Sequence, residues 1–326
     1  MPEPASLVAD IGGTHVRFAL SPDQDRRALR AVRVMAIADY DTVERAAKDY
    51  LDDCGAPPVR QAVFGIANPV LGDRIRMTNA PWSFSIDATR QALGLERLHV
   101  INDFTALAWS LTVLAQADLR QLGGRERVPA TPLGLLGPGT GLGVSALVPA
   151  ADGRWTPIAG EGGHVSFAPR TERELALWRA AHARFGHVSM ERLVSGMGLE
   201  FIYRTVAGLA GAAAPDRTAA QISADALDGS CPHCREALDT FCALLGTAAG
   251  DLALTLGARG GIYLGGGILP KLGDYFMQSP FRRRFEDKGR FSDYLARIPV
   301  FLITTPHAAL LGAAACIDTL PDLPPC

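Results

Sequence analysis

The chain has 326 residues, 48% of them apolar and 20% charged, with a formal net charge of −2. That length supports two lobes with a core each, no unbroken apolar run of membrane-spanning length stands out, and the near-neutral balance lacks the basic footprint of a nucleic-acid binder. Arg282-Arg283-Arg284 runs on to Glu286 and Asp287 and reads as a solvated helix face, Met1–Ser6 has no export signal, and six cysteines fit reduced thiols in the cytoplasm.

Leu7–Leu20 alternates around Gly12-Gly13, with Val16, Phe18 and Leu20 on one face, which predicts a β-hairpin whose turn needs glycine. No helix follows, so neither a dinucleotide fingerprint nor a P-loop is formed. Such a hairpin, flanked by Asp10 and Thr14, still offers N–H groups and a hydroxyl to phosphate oxygens. Val32–Ile37 predicts a strand, Thr42–Cys54 an amphipathic helix, and Gln61–Ala67 a strand with Arg74–Thr78 as its partner. Ser85 or Asp87 caps a short helix to Leu93.

Leu98, Val100 and Ile101 then form a buried strand that runs into Asn102-Asp103 and continues as a helix carrying Phe104, Leu107, Ala108 and Leu111. Ligands of open α/β sheets collect at such strand ends. On that stretch alone Asp103 reads as a helix cap.

The hairpin pattern returns at Leu133–Leu136 with Gly137–Gly143, where Val144–Val148 is a strand and not the helix that dinucleotide binding requires. Arg154–Ile158 pairs back across the Asp152-Gly153 turn, and the loop Gly160–His164 brings Glu161 and His164 together. Thr171–Glu174 predicts a capping box opening a helix to Phe185, and Glu191 lies near a further helix start, where a dipole partner is the ordinary role. Residues 234–257 form one long helix, Gly260–Leu264 a strand, and Gly265–Gly267 lead into a helix over 268–276 whose N-terminus a phosphate or adenosine could approach. Val300–Thr304 and Ala308–Ala315 close the pattern as strand and helix, and Pro321–Cys326 is expected to fray. Cys231-Pro-His-Cys234 has metal-ligand spacing but no second Cys/His pair nearby to complete a zinc site.

These pieces, in this order, resemble the bacterial ATP-dependent glucokinase family of the hexokinase and actin-like ATPase superfamily over essentially the whole chain. Asp10–Thr14 is similar to its first phosphate motif, Gly139–Gly143 to the second, Leu264–Ile268 to its adenosine motif, and Ile101–Thr105 to the segment with its catalytic aspartate. His15 departs from the family pattern, which carries Asn there. A related repressor-like branch shares Glu-x-Gly-His but adds a cysteine-rich zinc motif that Cys231–Cys234 does not reproduce, which favours the zinc-free branch.

The resemblance implies a two-lobed α/β fold of the actin-like ATPase (ribonuclease H-like) kind with its active-site cleft between lobes. Residues 1–111 plus 301–326 are expected to form the smaller lobe and 112–300 the larger. It implies ATP held by Ala9, Asp10, Ile11, Gly12, Gly13, Thr14, Gly139, Thr140, Gly141, Gly265, Gly266 and Gly267, and glucose held by Asn102, Asp103, Glu161, His164 and Glu191. Asp103 would take the proton of the 6-hydroxyl as it attacks the γ-phosphate, Asp10 would orient Mg²⁺ through water, and lobe closure would exclude water. A cytoplasmic homodimer at the start of glycolysis, with no nucleic-acid or membrane partner, is the corresponding expectation. The alternatives are a kinase for fructose, mannose or an N-acetylated amino sugar, and a sugar sensor without turnover.

Overall fold

The computed structural model describes residues 4–319, so the tail read as frayed, Pro321–Cys326, and the first three residues of the opening segment lie outside the described residues. The chain divides into two compact units, Met1–Gln116 with Thr305–Cys326, and Ala117–Thr304.

The first unit is built on a five-stranded sheet. β1 (Ala5–Ile11) and β2 (His15–Pro22) pair antiparallel from Ala5↔Pro22 to Ile11↔Val16, and β3 (Arg30–Ala36) extends the meander. α1 (Val43–Asp53) starts at Thr42, whose side chain accepts the Arg45 N–H, and buries Val43, Ala46, Ala47 and Tyr50. β4 (Val59–Ile66) joins β1 in parallel. The expected pairing of Arg74–Thr78 with β4 does not form: β5 (Arg74–Arg76) pairs with β6 (Ser83–Ser85) in a separate ribbon. Both edges of β4 are already taken, by β1 and by β7 (Arg97–Asn102), so no hydrogen-bonding edge remains for β5. Ser85 caps α2 (Ile86–Ala92), and β7 runs directly into α3 (Asp103–Ser110). The sheet order is β3-β2-β1-β4-β7.

The second unit repeats this opening. β8 (Leu119–Gln121) precedes the meander β9 (Leu133–Pro138), β10 (Leu142–Pro149) and β11 (Trp155–Gly160). The helices α4 (Glu172–Phe185), α5 (Gly196–Leu209), α6 (Ala219–Leu227) and α7 (Pro232–Leu256) follow. β12 (Ile262–Leu264), the short helices α8 (Asp274–Gln278), α9 (Phe281–Glu286) and α10 (Ser292–Arg297), and β13 (Val300–Ile303) complete it. The order β11-β10-β9-β12-β13-β8 matches the first sheet through its meander and next parallel strand. By length and composition α7 could cross a membrane, contrary to the reading that no segment could, yet 61% of its apolar window is buried among the helices of this unit.

Four local expectations are corrected. β13 was expected in the smaller lobe with the helix that follows it; it pairs parallel to β12 and antiparallel to β8 in the second unit, because β9 leaves β12 one open edge. Thr171 caps α4 through the Glu174 N–H without a reciprocal box, since Glu174 accepts from the Arg170 N–H and binds Arg284 at 2.6 Å. That buried pair, with Arg284 also donating to Thr247 Oγ1, means that the basic run is not a solvated face: of its three arginines Arg283 alone is exposed. No continuous helix covers 268–276: a 3-10 turn, Leu269–Leu272, stops at Gly273, whose left-handed φ of +54° breaks the helical path before α8 begins.

The chain then returns to the first unit as α11 (Ala308–Ala315), which crosses α3. Gly312 sits at the crossing, where a Cβ would lie 1.7 Å from the Ala106 carbonyl oxygen. Gly312→Ala is therefore expected to destabilise the fold by about 1–3 kcal/mol by overpacking. Thermal unfolding checks this, and an unchanged Tm would mean that the helices can separate freely.

Candidate active site

In the first unit, the turn Gly12–Thr14 is closed by the Gly12 N–H donating to the His15 carbonyl at 3.0 Å. Gly13 has no room for a side chain, since a Cβ would meet the Asn79 carbonyl oxygen at 2.9 Å. His15 uses Nδ1 on the Thr14 hydroxyl at 2.9 Å, so its departure from the family pattern tethers Thr14. Asp10 faces Arg17 across the hairpin register, Oδ2 to Nη1 3.1 Å. Burial raises the Asp10 carboxyl above its ordinary value, with Arg17 and His307 pulling the other way. Arg17 was missed in the sequence, although hairpin register places it opposite Asp10.

At the end of β7 the cap belongs to Asn102 and not to Asp103. Asn102 Oδ1 accepts the N–H groups of Phe104 and Thr105 at 2.9 and 3.2 Å. Asp103 is the first helical residue, and its Oδ1 accepts from the Phe104 N–H at 2.9 Å and from Asn102 Nδ2 at 3.0 Å. Gly65 of β4 lets α3 approach, with Asp103 Cα 3.7 Å from where its Cβ would be. The carboxylate is thus oriented by two donors at the carboxyl end of a parallel strand.

In the second unit, the turn Gly139–Gly141 is closed by Gly139 N–H to Gly141 O, 2.8 Å. Gly265 and Gly266 lie against the end of β9 that leads into it: a Cβ on Gly137 would meet the Gly265 carbonyl at 2.6 Å, and one on Gly266, at φ +85°, would meet Pro138 O at 2.5 Å. Parallel pairing of β9 with β12 brings the two glycine segments together.

Beside them is a cavity of about 520 Å³ lined by Thr140, Gly196, Glu200, Ser223, Ile268 and Lys271 among others, a size suited to a nucleoside. Glu200, Ser223 and Lys271 were not read from the sequence. The available signal was the small-residue face of α6, Ala219, Ala220, Ser223 and Ala224, at helical spacing.

Glu161 precedes the 3-10 turn Gly162–His164, and both Glu161 and His164 expose their side chains. The loop is docked on β10, because Gly163 leaves no space for a Cβ against Leu142 O, at 2.1 Å. Glu191 is not at a helix start. It lies in a turn before α5, donates its N–H to Gly163 O at 2.9 Å, and accepts the Leu142 N–H through Oε2 at 2.9 Å. One residue therefore joins the Gly162–His164 turn to the end of the Gly139–Gly141 turn.

Gly141 is small on account of Glu191 as much as of any phosphate, since its Cβ would stand 2.4 Å from Glu191 Oε2. Gly141→Val is expected to displace that carboxylate and to loosen both turns it holds, lowering the Tm. Thermal unfolding checks this, and an unchanged Tm would show that Glu191 tolerates the side chain.

The family model described as Glucokinase matches residues 7–320. A curated glucokinase of Chromobacterium violaceum is 57% identical over 95% of this chain and 88% of its own length. One from Ralstonia nicotianae is 52% identical over 96% and 94%. The crystal structure of a glucokinase from an Antarctic psychrotroph superposes with a TM-score of 0.87 at 36% identity, covering 96% of this chain and 98% of that one.

Proposed function

The chain belongs to the glucokinase family, and from that premise we propose roles for its individual residues in glucose phosphorylation. Its α/β fold is that of the actin-like ATPases, and it is an ATP-dependent kinase that transfers the γ-phosphoryl group to glucose. The observation that carries the residue assignment is the carboxylate of Asp103, the first residue of a helix at a strand end, relieved of capping by Asn102.

Phosphoryl transfer leaves the protein little covalent work, so positioning and charge placement dominate. Asp103 accepts the proton of the 6-hydroxyl as that oxygen attacks the γ-phosphorus. Asn102 holds Asp103 through Nδ2, and its longer 3.4 Å contact to Asn68 O is the one that a sugar hydroxyl can replace. Glu161, His164 and Glu191 read the other ring hydroxyls. The nucleotide phosphates meet the glycine turns at Gly12–Thr14 and Gly139–Gly141, where close backbone approach is open. Ala9, Asp10 and Ile11 lead into the first of them, and Gly265, Gly266 and Gly267 lead into Ile268, which lines the cavity that takes the adenosine.

Mg²⁺ binds through one or two carboxylates plus substrate phosphates and keeps several waters. The half-buried Asp10, a single carboxylate at the end of β1 beside the Gly12–Thr14 turn, fits that pattern. Bound Mg²⁺ would neutralise charge on the phosphates. A cytoplasmic homodimer acting at the start of glycolysis completes the proposal.

The test is ADP release coupled to a spectroscopic readout across a panel of hexoses, with and without Mg²⁺. Glucose should give the highest kcat/KM, and higher values with fructose, mannose or an N-acetylated amino sugar would move the specificity elsewhere.

A further inference from the structure

Cys231-Pro-His-Cys234 is used by none of the roles above. Cys231 is the N-cap of α7, and its sulfur accepts the Cys234 backbone N–H at 3.3 Å. Cys231 is half-buried, whereas Cys234 is wholly enclosed. Two thiols three residues apart at the first turn of a long helix, one half-buried and one enclosed, with the first sulfur held at the backbone N–H of the second, make the arrangement of a dithiol centre. Burial acts to raise the Cys231 thiol. The hydrogen bonds from Cys234 and His233, with the charge of Arg217, outweigh it and lower the thiol below its ordinary value. Burial and the neighbouring sulfur push Cys234 up. The half-buried Cys231 is thus the attacking group, and the enclosed Cys234 the one that resolves the mixed disulfide.

The same segment is attached to the cavity. The Cys231 N–H donates to the Asp225 carbonyl of α6 at 3.3 Å. The Asp225 carboxylate receives Arg217 Nε at 2.8 Å, and Arg217 also bonds the Tyr203 hydroxyl of α5. Helix α6 supplies Ala219, Ala220 and Ser223 to the cavity wall.

We propose that Cys231 and Cys234 form a redox-active dithiol that closes to a disulfide by exchange with a small-molecule disulfide, and that closure weakens nucleotide binding through α6. The proposal rests on the reading of that cavity as the nucleotide site. The Cys231 thiolate attacks one sulfur of the small disulfide and expels the other half as a thiolate, leaving a mixed disulfide. Cys234 then loses its proton, attacks the Cys231 sulfur and expels the second half. The protein loses two thiol hydrogens, and one disulfide is reduced to two thiols. Closing the link moves Cys231 toward Cys234 at the start of α7, and with it the N–H that donates to the Asp225 carbonyl of α6.

The full chain is equilibrated with oxidised and reduced glutathione in graded ratios, then alkylated, weighed and peptide-mapped, and the KM for ATP and for glucose is measured on the same samples. The expected result is a 231–234 link, a several-fold rise in the KM for ATP, little change for glucose, and reversal by dithiothreitol. Cys231→Ser keeps a capping oxygen and should show normal reduced activity with no response to oxidised glutathione. Thiols that stay alkylatable throughout, or a 231–234 link that leaves the KM for ATP unchanged, would overturn the proposal. Absence of glucose-dependent ADP release in the fully reduced protein would instead refute the functional reading, because the link is detected by mass alone.

Discussion

Asp103→Asn is expected to lower kcat for glucose by roughly 10²–10⁴ while the protein stays folded, because the variant keeps the shape of the side chain and loses its ability to take a proton. The structure sharpens this comparison. Had Asp103 been the cap of α3, its loss would cost about 0.5–2 kcal/mol of stability. Here Asn102 makes the capping bonds to Phe104 and Thr105, so the variant should hold its Tm within about the 0.3–1 kcal/mol that a first-turn carboxylate owes to the helix dipole. Asparagine also keeps an oxygen for the Phe104 N–H. Thermal unfolding, glucose binding by calorimetry and single-turnover phosphorylation separate the effects. Normal melting and retained glucose binding with collapsed turnover is the outcome for a base, whereas turnover within a few-fold of the parent would move the base to another residue.

Glu191→Ala should be the most damaging change in the second unit, since it empties both sides of one carboxylate. Oε2 accepts the Leu142 N–H just past the Gly139–Gly141 turn, and the same residue is proposed to read a sugar hydroxyl. A hydrogen bond to a charged group is worth about 1.5–3 kcal/mol, or roughly ten- to hundredfold in an affinity. Losses of that size are expected in the KM of ATP and of glucose together. Glu191→Gln separates them: its side-chain oxygen can still accept the Leu142 N–H, so the KM for ATP should return to within a few-fold while glucose stays weakened. Equal loss for both substrates in the glutamine variant would show that the charge, and not the hydrogen bond to Leu142, holds the turn.

Both glycine hairpins, the strand that becomes a helix at Asn102-Asp103, and the long helix before Gly257 are legible in the residues alone. Each depends on a local rule: alternation around glycine, an apolar run followed by helical spacing, or a stop at a left-handed glycine, which Gly257 adopts at φ +59°. Chain order also carries the succession of motifs that resembles the family. The sequence did not reveal which strand lies beside which, and hence that β5 is excluded from the sheet and β13 joins the second unit, because edge availability is set by strands far away in the chain. It did not reveal that Arg284 is buried, because its partner Glu174 lies 110 residues away. Nor could it show that Asn102 relieves Asp103 of the cap, since both residue types can cap and only the backbone turn selects between them. The sequence by itself therefore determined the local elements and the chemistry available at their ends. The tertiary structure decided the partners: Glu191 on Leu142, Gly141 making room for it, and α6 linking a cysteine pair to a cavity wall. The physical reason is that hydrogen bonds and close packing act over a few ångströms in space, whatever the separation along the chain.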